Sequence, residues 1–366
     1  MTFSGLHGLR VGLIGPLPPP SGGMANQTRQ LAELLSEGGA KVTLVQINAP
    51  YRPSWAAHVP VVRSFFRLVP YLLSLWQAAG RVDVFHIMAN SGWSWHLFAA
   101  PAVWIGRLRR VAVVVNYRGG EAGEFLASSS KLVSFTMRRA CALVVPSGFL
   151  KGVFSGFGMA SEVVPNIIDL SRFYPRALDR QGSLHLLVAR NLERLYDNET
   201  AIRAFEIVRI KYPQARLSIA GSGPDEQRLR QFVRDRGIEN SVRFAGRLER
   251  DAMAELYRSA DIMLNPSLAD NMPNSVLEAW SSGLPVVSTN VGGIPYMAQD
   301  GLNASLVPPS DPVAMATACL QLLSDDACWR QRAQAGLREA QRYTWASVQP
   351  VLVDVYRRVN ALNIGM

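Results

Sequence analysis

The sequence is poor in cysteine, modest in charge and without a long unbroken apolar run. Three cysteines in 366 residues, Cys141, Cys319 and Cys328, are too few and too scattered for a disulfide framework or a zinc site. They fit a reducing, cytoplasmic setting. Charged residues make up 18% against 48% hydrophobic, which excludes a disordered or collagen-like chain. No stretch reaches the roughly 18 uninterrupted apolar residues a spanning helix needs. The nearest, Val59 to Trp76, is broken by Arg63, Arg67 and Pro70. The apolar run after Arg10 is too short for a signal peptide and lacks a small-residue cleavage site. A chain that is soluble, or lies on a membrane without crossing it, is expected.

Acidic residues are in deficit, 28 against 38 basic, for a net charge of +10. That balance suits nucleic acid, an anionic membrane or a phosphorylated ligand, and says nothing about fold. The excess is uneven. Residues 1–175 hold 16 basic and 7 acidic side chains, and residues 176–366 hold 22 and 21. The basic residues of the first half are dispersed among apolar ones, with no nucleic-acid-binding motif.

Length favours two domains. Short apolar runs alternate with helical stretches, the pattern of parallel α/β architecture. Strands are expected at Leu9–Gly15, Lys41–Ile47, Asp83–Ala89, Val111–Tyr117 and Cys141–Ser147, with a helix from about Ala25 to Ser36. The scheme restarts at Leu184–Arg190, Ala215–Gly221, Val242–Gly246, Asp261–Ser267 and Leu284–Thr289. The Pro/Asn-punctuated segment from Val163 to Pro175 reads as a connector. Two doubly wound, Rossmann-like domains facing a central cleft follow: residues 1–170, residues 171–345, and a C-terminal helix over 346–366 packing back toward the first.

Two places carry chemistry. Gly22 and Gly23 stand just before the first helix, where bare backbone and exposed amides suit a phosphate or carboxylate. The stretch is not G-x-G-x-x-G, and no acidic residue ends the next strand, which argues against NAD. A plain strand–helix turn has the same look. Asp270 and Glu278 lie eight residues apart across a helix start, one in the loop and one in the first turns. Asn271 or Asn274 can cap that helix, Val276, Leu277 and Trp280 form its buried stripe, and Gly283 ends it. Two such carboxylates can hold the vicinal hydroxyls of a sugar and a ribose while helix amides hold a diphosphate. The plainer alternative is complementing the helix dipole, about 0.3–1 kcal/mol each.

These residues resemble the retaining, GT-B-fold glycosyltransferases of family 4, in register over nearly the whole length. The family's E-x7-E motif stands here as Asp270-x7-Glu278 within DNMPNSVLEA, followed by SGLPVV and Gly292-Gly293. LSIAGSGP, VRFAG, LYRSADIMLNPS, the PPPSGG loop and VVPNIIDLSRFYP match in order and spacing. The resemblance implies that Glu278 holds the ribose of a nucleotide-sugar donor and Asp270 the transferred sugar. It assigns the diphosphate to amides near Asn274, Ser275 and Val276 and to Arg190, whose alternative is a solvated strand-end charge. Gly22 and Gly23 are implied to close over the donor.

Three positions depart from the family. Its phosphate-binding lysine is absent, leaving Arg194 as the nearby cation; Tyr296 stands for a glutamate; and Arg118 replaces a histidine beside the transferred sugar. Arg118 can neutralise developing charge but is no titrating base near neutral pH; an ion pair with Glu121 or Glu124 is its alternative. On this fold the leaving phosphate is generally argued to take the acceptor proton, so no protein base is required. The resemblance thus implies retaining, metal-independent transfer from a UDP- or GDP-sugar to a lipid-linked or saccharide acceptor, in surface polysaccharide or glycolipid assembly. The absence of any D-x-D sequence agrees, and no cofactor or metal is called for. Competing readings are a catalytically silent glycosyltransferase-like binding subunit and a sugar-nucleotide epimerase.

Two further features remain. His86, with Asn90 and Ser91, either lines the acceptor pocket or is a buried structural histidine. In the segment from Val59 to Arg81 and just before it, Arg52, Arg63, Arg67 and Arg81 accompany Phe65, Phe66, Tyr71 and Trp76. This fits an interfacial helix on anionic lipid at the inner face of the cell membrane. Helices packing on the sheet with snorkelling arginines are the alternative.

Overall fold

The computed structural model describes residues 5–19, 22–50, 60–175 and 183–364. The chain forms two compact units, Met1–Ile167 together with Val348–Met366, and Ile168–Ser347.

The first unit is built on six parallel strands: β1 (Arg10–Gly15), β2 (Lys41–Gln46), β3 (Val84–Ala89), β4 (Ala112–Tyr117), β5 (Ala142–Val145) and β6 (Glu162–Val163). Their order is β2-β1-β3-β4-β5-β6. Between them run α1 (Gly23–Glu37), α2 (Pro60–Ala79), α3 (Ala100–Leu108), α4 (Ala122–Met137) and α5 (Gly148–Gly156). Every residue of β3 and β4 is buried, which explains why their sequences are apolar apart from His86 and Asn116: both faces of the sheet are covered. Tyr71, Leu75, Val103, Val133 and Phe154 pack with Phe85, Ile87, Val113 and Val115 on one face. Strand alternation sends His86 and Asn116 to the other.

The second unit repeats the plan with β7 (His185–Ala189), β8 (Arg216–Ala220), β9 (Val242–Gly246), β10 (Ile262–Asn265), β11 (Val286–Thr289) and β12 (Ser305–Val307). The order is β9-β8-β7-β10-β11-β12, all pairs parallel. Its helices are α6 (Asn198–Lys211), α7 (Glu226–Asp235), α8 (Arg250–Ser259), α9 (Asn274–Ser281), α10 (Pro312–Ser324) and α11 (Asp326–Ala340). The last helix, α12 (Trp345–Ile364), belongs to the first unit from Val348 onward.

Every strand expected from the sequence is present. The structure adds β6 and β12, edge strands of two and three residues that are too short to leave an apolar run. The segment before Arg81 is one helix, α2, with Pro70 inside it. Tyr71, placed on the lipid-facing side by sequence reasoning, is instead buried and donates its hydroxyl to the Phe98 carbonyl at 2.7 Å. Arg52 lies outside the described residues, as do the side chains of Arg63 and Phe65. Among the described residues no helix is long and apolar enough to cross a membrane.

Candidate functional site

In each sheet the strand order reverses once, between β1 and β3 and between β7 and β10. Open parallel sheets bind ligands outside the carboxyl ends of the strands at such reversals. In the second unit Arg190 directly follows β7, and Asp270 lies in the loop after β10.

Arg190 and Asp270 meet: Nη2 of the arginine pairs with Oδ2 of the aspartate, both side chains about nine-tenths buried. Arg190 Nη1 donates to Ser275 Oγ at 3.2 Å, and its guanidinium lies 4.2 Å from the centre of the Tyr196 ring. Its buried Nε finds no acceptor among the described residues. The second Asp270 oxygen accepts from the Asn271 amide at 3.0 Å. Ser275 stands in the first turn of α9, beside the amides that a helix start leaves without intrahelical partners. Neither Asn271 nor Asn274 takes the cap position expected of one of them. Pro273 occupies it in extended backbone, and its ring has no acceptor to offer the helix amides.

Glu278 lies one turn further along α9, half-buried, and accepts a hydrogen bond from the Tyr257 hydroxyl at 2.9 Å. Burial pushes its carboxyl up to about 7, against the opposing pull of that hydroxyl and of the Arg250 and Arg190 charges. The Tyr257 phenol is held well above its usual range by burial and by Glu278.

Two glycine pairs let these loops approach. A Cβ on Gly292 would overlap the Asp270 carbonyl oxygen, and one on Gly293 the Asn271 carbonyl oxygen; the Gly293 amide donates to Asp270 O at 2.9 Å. Gly221 and Gly223 stand in the same way against the carbonyls of Arg190 and Leu192. Val276, Leu277 and Trp280 are buried as the stripe pattern implies. Arg194 does not join the group: its side chain is 86% exposed and lies 3.9 Å from Asp225. Tyr296 is also exposed.

Gly22, Gly23 and Arg118 belong to the first unit. Gly22 caps α1 in extended backbone at φ −173°, and a Cβ there would meet no atom within 4 Å. Packing within the protein therefore does not demand this glycine. Arg118 follows β4 and is half-buried, which lowers its guanidinium to about 10 and leaves it charged at neutral pH. It pairs with neither Glu121 nor Glu124 among the described residues. Nε donates to Asn116 Oδ1 at 3.2 Å, and Nη1 donates to Asn166 Oδ1. His86 does not line a pocket: it is fully buried, and burial together with the Arg118 charge depresses it to about 3.

The outer face of α2, α3 and α4 carries exposed Leu73, Trp76, Trp104, Leu108, Leu132 and Phe135. Trp104 and Phe135 lie 5.7 Å apart, Arg109 stands over Trp76 at 4.5 Å and Arg139 over Phe135 at 4.6 Å.

Tyr257, Tyr196, Asn116, Asn166 and Tyr356 escaped sequence reasoning. Each sits in an apolar run or a connector, where its type signals only packing.

Two doubly wound units of this kind, with polar clusters at their strand-order reversals, define the GT-B fold. Sucrose-phosphate synthase from Thermosynechococcus elongatus superposes with a TM-score of 0.76 over 97% of this chain and 100% of that one, at 19% identity. The Anabaena protein HepE in complex with UDP gives 0.74 over 96% and 100%, at 16% identity. The model described as Glycosyltransferase Family 4 matches residues 21–172, and that described as Glycosyl transferases group 1 matches residues 185–325. The chain belongs to this glycosyltransferase family. It is 31% identical to a D-inositol 3-phosphate glycosyltransferase of Corynebacterium urealyticum over 45% of this chain and 41% of that one. It is 24% identical to the phosphatidyl-myo-inositol mannosyltransferase of Mycolicibacterium smegmatis over 97% and 95%. The chain spans about half the length of the curated relatives it first matches, between 34% and 51%.

Proposed function

We propose that this chain transfers a sugar from a nucleotide-sugar donor to a hydroxyl of a lipid-linked or saccharide acceptor, with retention at the anomeric carbon. The observation that carries the reading is the meeting of Arg190, Asp270 and Ser275 at the start of α9, with Glu278 one turn on. A guanidinium and helix-start amides suit a diphosphate, and Asp270 and Glu278 suit vicinal hydroxyls. Solved relatives crystallised with UDP, and with UDP and glucose, support a uridine donor. Relatives named for inositol 3-phosphate and for phosphatidyl-myo-inositol support a polyol or lipid acceptor.

In this reading Arg190 meets the departing diphosphate. Backbone amides at the start of α9, near Asn274 and Ser275, share its charge, as preorganised dipoles do where charge develops. Arg118, in the first unit, offers a permanent cation to ligand charge, and the leaving phosphate accepts the acceptor proton. No metal ion or cofactor is assigned a role. Gly22 and Gly23 admit the donor close to the backbone. The apolar, arginine-rimmed face of α2, α3 and α4 is read as resting on an anionic membrane.

A donor panel tests the central claim. UDP, GDP and their sugars are added to the purified chain and thermal unfolding is followed. A nucleotide at 100 times its dissociation constant adds about 2.7 kcal/mol. Glu278→Ala removes most of that gain; an undiminished gain in the variant rejects the assignment of the site.

A further inference from the structure

A continuous line of buried polar groups runs through the first unit from α12 to Arg118. Tyr356 Oη lies 2.8 Å from His86 Nδ1, His86 Nε2 lies 3.0 Å from Asn116 Nδ2, and Asn116 Oδ1 accepts from Arg118 Nε at 3.2 Å. Tyr356, His86 and Asn116 are each at most 1% exposed, so no solvent competes for these atoms. The Arg118 guanidinium is also gripped at Nη1 by Asn166.

The direction of every bond follows from Arg118. A guanidinium only donates, so the Asn116 carbonyl must face it and the Asn116 amide must face His86. That amide donates, so His86 Nε2 carries a lone pair and the imidazole proton sits on Nδ1. The Nδ1–H then donates to the Tyr356 oxygen. One charge at the end of β4 thus dictates a tautomer in β3 and a hydroxyl orientation in α12. Buried polar groups with every partner defined tend to specify one arrangement, since a broken link leaves an unsatisfied atom.

We propose that Tyr356, His86 and Asn116 are positioning residues for Arg118, so that the C-terminal helix sets the pose of this arginine. The functional half of the claim rests on the reading of Arg118 as the group that meets ligand charge. The physical half does not. If His86 were purely structural, loss of its partner Tyr356 would leave the Arg118 guanidinium unchanged.

The test is nitrogen NMR on the full chain labelled with 15N, without ligand. His86 is expected as the Nδ1–H tautomer at pH 7; an Nε2–H signature overturns the proposal without any variant. Asn116→Asp replaces the donor facing His86 by an acceptor and is expected to move the proton to Nε2; an unmoved tautomer overturns the relay. In Tyr356→Phe the Arg118 Nε–H is expected to exchange at least about tenfold faster, with the thermal midpoint used to verify folding. Unchanged exchange in a folded variant overturns the positioning role. If a donor found in the panel is turned over, Tyr356→Phe is expected to lower kcat about tenfold with donor KM unchanged. Coupled NMR signals without turnover of any donor reject the glycosyltransferase reading while leaving the positioning intact. Turnover with uncoupled signals does the reverse.

Discussion

Tyr257 donates its hydroxyl to Glu278 at 2.9 Å, so a tyrosine from α8 controls the charge of the carboxylate that the family motif brings to α9. Burial alone favours the neutral acid, and the hydroxyl favours the carboxylate. Tyr257→Phe should therefore lift Glu278 above its value of about 7. Nucleotide affinity at pH 7 should fall several-fold and recover toward pH 8.5. A calorimetric titration with UDP from pH 6 to 9 checks this; a pH profile identical to that of the parent chain rejects it.

The same carboxylate sets a stability trend. Glu278 titrates higher in the folded chain than its ordinary value of 4.5. Its contribution is complete below that value and is lost as pH rises through about 7. Glu278→Gln should stabilise the ligand-free chain at pH 8, by on the order of 1–3 kcal/mol, and hardly at all at pH 4. Thermal melts at the two pH values decide it, and an equal effect at both refutes the assignment.

Arg190 and Asp270 neutralise each other where little water reaches. Arg190→Met alone strands a buried carboxylate and should cost about 3–5 kcal/mol. Adding Asp270→Asn should recover much of that loss while nucleotide binding stays absent. Chemical denaturation beside a UDP titration separates the two effects.

Glycines that look alike in sequence should behave differently. Gly293→Ala forces a Cβ into the Asn271 carbonyl and should cost several kcal/mol. Gly22→Ala meets no protein atom and should leave stability within about 0.5 kcal/mol, yet lower donor turnover, if the donor approaches there.

For the membrane reading, the chain should co-sediment with phosphatidylglycerol vesicles at low salt and be released as salt rises. Trp76→Ser with Phe135→Ser should weaken this binding at least tenfold without altering UDP binding. Equal binding to neutral phosphatidylcholine vesicles would remove the anionic part of the reading.

Much of the architecture was legible from the chain itself. Strands covered on both faces must be mostly apolar, so β3, β4, β7 and β10 announce themselves, and the restart of the pattern announces a second unit. Asp270 and Glu278 stood out as candidates because two carboxylates flank a helix start at a set spacing, whereas Gly292-Gly293 was marked only by the family resemblance. What spacing could not carry was partnership across sequence distance. Arg190 reaches Asp270 over 80 positions, and Tyr356 reaches His86 over 270. Nothing in the sequence sets Tyr71, Tyr257 and Tyr356 apart as buried donors, and only packing decides which hydroxyl finds a carbonyl, a carboxylate or an imidazole. Residue types and local periodicity dictate the elements and the chemistry available. Burial and the meeting of distant side chains, which depend on the assembled sheets and helices, decide the charge, tautomer and orientation in which that chemistry is held.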